Sequence, residues 1–208
     1  MHITRRSLMV GGAAAAGSVA WPGSGLSQVR PTVPMVLGPF YPVVRPPESD
    51  ADLTRVFSSR TRARGEIINL VGRVLDRSGR PLVNARVEVW QANAAGRYGH
   101  PDERNPAPLD PGFQGSAVLR TDGLGTYRVK TVRPGPYDGG TPHIHFDVTS
   151  ATQRLVTQMI FPDEPLNETD GLIRGMSAGG RASVTARSVA PLQDAPDESA
   201  FAWDIVLF

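Results

Sequence analysis

The chain has 208 residues, 22 of them basic and 20 acidic, with four histidines and no cysteine. Without cysteine there can be no disulfide, thiolate nucleophile, iron–sulfur cluster or cysteine-bound zinc, so any metal must be held by nitrogen and oxygen. The charges nearly balance and Lys130 is the only lysine, which removes the electrostatic case for a nucleic-acid partner.

Residues 1–28 read as an export signal: a short basic start ending in Arg5-Arg6, an apolar run over 7–21, and a small-residue stretch over 22–27. The string Thr4-Arg5-Arg6-Ser7-Leu8-Met9 resembles a twin-arginine signal, whose pathway carries proteins already folded. The apolar run falls short of the ~20 residues of a membrane span. The expected mature protein is therefore periplasmic or secreted, without a stable membrane span. Roughly 180 residues remain, enough for one domain with a real core.

Residues 29–65 are Pro-rich and weakly periodic, punctuated by Gly38-Pro39-Phe40-Tyr41-Pro42 and Pro46-Pro47, and read as an arm wrapped on a core. From there the apolar period turns to two. Runs at 67–75, 85–90, 127–132, 143–148, 155–161 and 201–208 are rich in β-branched and aromatic residues and predict strands. Asp76-Arg77-Ser78-Gly79-Arg80-Pro81 and Asp122-Gly123-Leu124-Gly125 supply the backbone freedom and rigidity that tight turns need. No long helical stripe precedes residue 170, and one short helix is expected near 182–189. The predicted fold is all-β, an antiparallel β-sandwich with an irregular N-terminal arm and long loops.

Two of the four histidines form His143-Ile144-His145 inside a predicted strand. Residues two apart on a strand share one face at a spacing of about 7 Å, so both imidazoles can reach one ion. His-x-His alone is a weak signal, and the remaining donors are carboxylates, His100 and a few tyrosines. Tyr137 sits in the rigid turn Arg133-Pro134-Gly135-Pro136-Tyr137 just before the histidine strand, and Tyr98 ends a polar loop that leaves another strand at Trp90. A phenol keeps its proton to about pH 10, so only a strongly acidic ion such as Fe(III) displaces it. From spacing alone the plainer alternative is the favoured one: Tyr98 caps a turn and Tyr137 packs on a strand edge.

The segments Val71-Gly72-Arg73-Val74-Leu75-Asp76, Val87-Glu88-Val89-Trp90-Gln91-Ala92-Asn93-Ala94-Ala95-Gly96-Arg97-Tyr98, Pro106-Ala107-Pro108-Leu109-Asp110-Pro111 and Pro142-His143-Ile144-His145-Phe146 resemble the intradiol ring-cleavage dioxygenases. The likeness is strongest to protocatechuate 3,4-dioxygenase beta subunits. It implies that 66–208 is the catalytic domain and that one Fe(III) per chain is held by Tyr98, Tyr137, His143 and His145. The substrates it implies are O2 and a catechol-type ring, opened between its two hydroxyl-bearing carbons to a muconate-type diacid, with Tyr137 serving as a built-in base. It also implies a catalytic role for Gln158 beside the reacting substrate and places Trp90 at the substrate cavity.

The likeness also has gaps. Only residues 138–142 separate Tyr137 from His143, and the family's aromatic and arginine next to the iron fall here on Gly139 and Gly140. The expected consequences are a wider pocket and a lost cation, for which Arg133 is the candidate substitute. The family's beta subunit works with an alpha subunit; a homo-oligomer is the alternative source of that wall. Two other readings compete: the same iron site used for another aromatic oxidation, and a non-catalytic transthyretin-like binding module, suggested by Gly72-Arg73-Val74-Leu75-Asp76 through Arg86-Val87-Glu88-Val89.

Overall fold

The alternation that predicts strands also decides which side chains go inward. In β5 (His143–Thr149) Ile144, Phe146 and Val148 are buried in the core, which puts His143, His145 and Asp147 on the opposite face. In β2 (Arg86–Trp90) Val87 and Val89 point inward, leaving Arg86, Glu88 and Trp90 on that same outer face. The computed structural model describes residues 29–43, 50–137 and 139–208; the expected signal at 1–28 and part of the arm lie outside them.

Two sheets enclose the core, as expected of a β-sandwich. One runs β3 (Ser116–Arg120), β2, β5, β6 (Arg154–Ile160), antiparallel throughout. The other runs β4 (Thr126–Val132), β1 (Ile67–Leu75), β8 (Ser199–Ala202), β7 (Arg187–Val189), with β9 (Ile205–Val206) also on β1. In this second sheet β8 and β9 pair parallel with β1. Between the sheets lie Ile68, Leu70, Val87, Val89, Phe146 and Met159, all almost fully buried, a packing that burial of apolar area favours by ~1.5–3 kcal/mol per large side chain.

The turns form where their residues predict them. Asp76 Oδ1 accepts from Ser78 N and Arg80 N, and Asp122 Oδ1 accepts from Leu124 N and Thr126 N, each carboxylate closing its own turn. Several elements differ from expectation, β3 among them, since no strand was expected over 116–120. The C-terminal run splits because Asp204 turns its carboxylate onto Arg73 N and Arg73 Nη2, taking a ladder position with a side chain. The helix forms earlier, at Ala178–Val184 (α2), where Ser177 Oγ caps Gly180 N, and residues 187–189 pair with β8 as a strand instead. A short helix α1 (Gly171–Arg174), capped by Asp170, was not anticipated.

The first part of the arm lies across its own sheet. Met35 N donates to Val156 O, Thr157 Oγ1 to Val33 O, and Gln158 Nε2 to Val36 O, so the arm covers β6, an edge strand. Further on, Phe40 and Tyr41 pack on Trp90, Ala92 and Tyr98, forming a small aromatic cluster outside the main core.

Candidate metal centre

The outer face of the β3-β2-β5-β6 sheet carries a cross-strand row. Trp90 pairs with His145, and His145 with Gln158, so one register places an indole, an imidazole and an amide side by side. The Trp90 and His145 rings stack with centroids 4.8 Å apart and planes within 5°. Gly38 of the arm lies against the edge of the His145 ring.

Two loops bring in the tyrosines. Leaving β2, Asn93 closes a tight turn by accepting from Ala95 N and Arg97 N through its side chain. Gly96, with φ +78°, meets the Pro136 carbonyl where any Cβ would stand 2.1 Å from that oxygen. On the other side Gly135 donates its N–H to Asn93 O, and a Cβ there would stand 2.5 Å from Ala94 O. Only glycines permit this interlock. It sets the Tyr98 and Tyr137 rings edge to face, 5.3 Å apart, with Phe40 packed against both.

The donor atoms then converge. His143 Nε2 and His145 Nε2 are 3.1 Å apart, and His145 Nε2 is 3.1 Å from Tyr98 Oη. His143 Nδ1 lies 2.7 Å from Thr141 O, and since a carbonyl only accepts, the proton is on Nδ1 and the Nε2 lone pair faces His145. Burial lowers the pKa of both histidines, aided at His145 by its neighbour His143 and opposed at His143 by Thr141 and Asp170, so both rings are held neutral. His145 Nδ1 is buried without a partner, so whichever tautomer it adopts leaves one polar atom unmatched.

With its proton on Nδ1, His145 would turn a second lone pair towards that of His143 beside the phenol, an arrangement a shared cation relieves. Donors bound at about 2.1 Å and at right angles to one another stand about 3 Å apart, close to the spacing present. Burial, and then the proximity of Tyr137 and Glu103, push the Tyr98 phenol well above its usual range. Its proton would yield only to a highly charged ion, which fits Fe(III) better than a divalent one. Among the described residues no group of three or more histidines and carboxylates gathers anywhere, so the phenols would have to complete a metal set here.

Tyr98, Tyr137, His143, His145, Gln158 and Gly140 surround one cavity of about 180 Å³. Three residues singled out from the sequence stand outside its wall. Trp90 is only 1% exposed, with His145 on its face and Tyr41 edge-on at 5.1 Å, so it supports the site from behind and does not meet substrate. Gly139 is exposed beside the cavity but not in its lining. Arg133 does not substitute for the missing cation: its guanidinium lies 4.4 Å from the centre of the Phe161 ring and 3.6 Å from the Glu164 carboxylate, which already match its charge.

Other wall residues were not singled out. Asp170 lines the cavity with Oδ2 accepting from Thr141 N, while its Oδ1 caps Leu172 N and Ile173 N. Its only sequence signal is a helix-cap pattern, which says nothing of a cavity. Met35, Val36 and Phe40 come from the arm, whose target the sequence does not name.

Known proteins share this sequence and fold. Residues 36–208 match the Dioxygenase_C family model, described as dioxygenase. The chain is 40% identical over 167 residues to the protocatechuate 3,4-dioxygenase beta chain of Burkholderia cepacia, covering 76% of this chain and 71% of that one. It is 33% identical over 125 residues to the catechol 1,2-dioxygenase of Acinetobacter baylyi, of which it spans 39%. Among solved structures, the dioxygenase domain of a dioxygenase and carbohydrate-binding fusion from Streptomyces sp. SirexAA-E superposes with a TM-score of 0.65 at 27% identity, over 86% of this chain and 98% of that one. An intradiol ring-cleavage dioxygenase from Tetranychus urticae, at 20% identity and a TM-score of 0.67 over 86% of this chain and 95% of that one, shares the fold. The family model covers most of the chain and the β-sandwich is the fold these relatives share, so the protein belongs to the intradiol ring-cleavage dioxygenases.

Proposed function

We propose that the protein is a non-haem Fe(III) enzyme that opens a catechol-type ring between its two hydroxyl-bearing carbons with O2, giving a muconate-type diacid. The observation that carries this reading is the meeting of His143 Nε2, His145 Nε2 and Tyr98 Oη at 3.1 Å spacings in a cavity whose wall also holds Tyr137. Tyr98, Tyr137, His143 and His145 would hold the ion, two phenolates offsetting its charge while two neutral imidazoles complete the set. When bound, ferric iron supplies Lewis acidity that makes a chelated catechol reactive towards O2.

The chain's own residues do the rest. Tyr137, less buried than Tyr98 and placed at the cavity wall, is the phenolate that accepts a proton at Oη from an incoming catechol hydroxyl. Thr141 O fixes the His143 tautomer, and the stacked indole of Trp90 fixes the plane of His145. Phe40, Met35 and Val36 line the arm side of the cavity, while the Gln158 amide ties β6 to the arm at Val36 O.

Protein purified from iron-replete cells should contain one iron per chain, absorb broadly in the visible through tyrosinate-to-iron charge transfer, and consume O2 with catechol. Tyr137→Phe should shift or weaken that band while the circular dichroism of the fold is retained. Stoichiometric zinc or copper in place of iron would overturn the assignment.

Residues 1–28 we read as a signal that delivers the folded protein across the membrane, on the strength of Arg5-Arg6 and the apolar run after them. With both arginines changed to lysine, a precursor should accumulate inside the cell. Export at the original level would point to the general secretory route.

A further inference from the structure

The cavity wall beside the His–Tyr cluster has a definite chemical character. None of the described residues lining the cavity is lysine or arginine, and the one side chain of fixed charge is Asp170. Its position is not loose: three backbone N–H groups, from Thr141, Leu172 and Ile173, hold the carboxylate at 2.9–3.2 Å. Asp170 Oδ2 lies 3.2 Å from where a Cβ on Gly140 would stand, so a negative charge is fixed in that part of the wall.

Beyond the cavity the surface turns apolar. Met35, Val36 and Leu172 line both the cavity and an adjoining groove of about 260 Å³, which continues to Pro34 and Met176. Val36 is 57% exposed and Leu172 55%, so two large apolar side chains stand in water at the mouth of a site meant for a small polar ring. A catechol bound by its hydroxyls at the histidines and tyrosines would extend its remaining ring positions towards this wall and this groove.

Resting on the ring-cleavage reading above, we propose that the site takes catechols whose ring carries a neutral, apolar substituent, seated along Met35, Val36, Leu172 and Met176, and turns away catechols carrying a carboxylate because Asp170 repels it. A ring carboxylate would meet a like charge, with no lysine or arginine among the described lining residues to offset it. An alkyl chain would cover the exposed faces of Val36 and Leu172 and gain from their removal from water.

The test compares 4-butylcatechol with protocatechuate on iron-replete protein, by calorimetric dissociation constants without oxygen and by kcat/KM with oxygen. Binding of 4-butylcatechol should be at least tenfold the tighter. Asp170→Asn keeps an oxygen to cap Leu172 N and should tighten protocatechuate at least fivefold, with a smaller change for 4-butylcatechol. Should that variant fail to fold, Leu172→Ser, at an exposed position, carries the test: it should weaken 4-butylcatechol at least threefold and protocatechuate less. Equal or tighter binding of protocatechuate, a variant that shifts both ligands alike, or no binding of either would overturn the proposal. If the order of binding holds and neither ring is opened, the selectivity stands and the ring-cleavage reading falls.

Discussion

His145→Ala should strip the protein of iron and lower ring-cleaving turnover by a factor of at least about 10³, more than the 10- to 100-fold typical of losing a group that merely supports a metal ligand. The size follows from where this ring stands. It is the common member of both 3.1 Å contacts, to His143 Nε2 and to Tyr98 Oη, and the ring on which Trp90 stacks. Its loss removes a donor and leaves the remaining ones without their shared centre. The fold should survive, because His145 points away from the main core; unfolding midpoints measured on metal-free protein should change little. His100→Ala is the control, since His100 is a histidine with a side chain 6% exposed that packs on Phe40 outside the cavity wall. Its iron content should match the parent, and full iron retention by His145→Ala would remove this histidine from the centre.

One residue further along the same strand the outcome should invert. Phe146 is fully buried between the sheets, edge-on to Trp203 at 5.0 Å and to Tyr127 at 5.9 Å. Phe146→Ala should cost about 3–5 kcal/mol, the usual penalty of lost burial plus a residual cavity. Against a total of about 5–15 kcal/mol for an ordinary domain, that is a large share of the stability. Urea unfolding of the metal-free protein measures it, and a loss below about 1.5 kcal/mol would show that Trp203 and Tyr127 collapse into the space. At temperatures where the variant remains folded, its iron content per folded chain should be unchanged. Adjacent residues thus separate chemistry from stability by the period of the strand alone.

That period is why so much was legible beforehand. The alternation in His143-Ile144-His145-Phe146 marks both the face that is buried and the face that carries donors, and the turn residues at 76–81 and 122–125 mark where strands end. What alternation cannot carry is pairing between distant segments. Strand β3 is a strand because β2 offers it a ladder, and residues 187–189 leave the expected helix because β8 does the same. Arg133 shows the limit for the site: its place in the chain, four residues before Tyr137, suggested a cation at the substrate, yet the nearby faces of Phe161 and Phe201 and the carboxylate of Glu164 hold it elsewhere. Asp170 is the converse, a helix cap by local pattern and part of the cavity wall only through the contact of its loop with Thr141.

Part of the arm is joined to the body by hydrogen bonds that reach 122 to 174 positions along the chain, from Thr32, Val33 and Val36. The pairing of β1 with β8 is as remote, Ile68 meeting Ser199. Contacts so distant in sequence carry a large loop-closure entropy, so the arm and the second sheet close at comparable cost. The two histidines stand instead on β5, whose partners β2 and β6 lie much nearer in the chain. Their spacing is thus set by the more local pairings, and the arm is laid over a donor pair whose geometry does not depend on it.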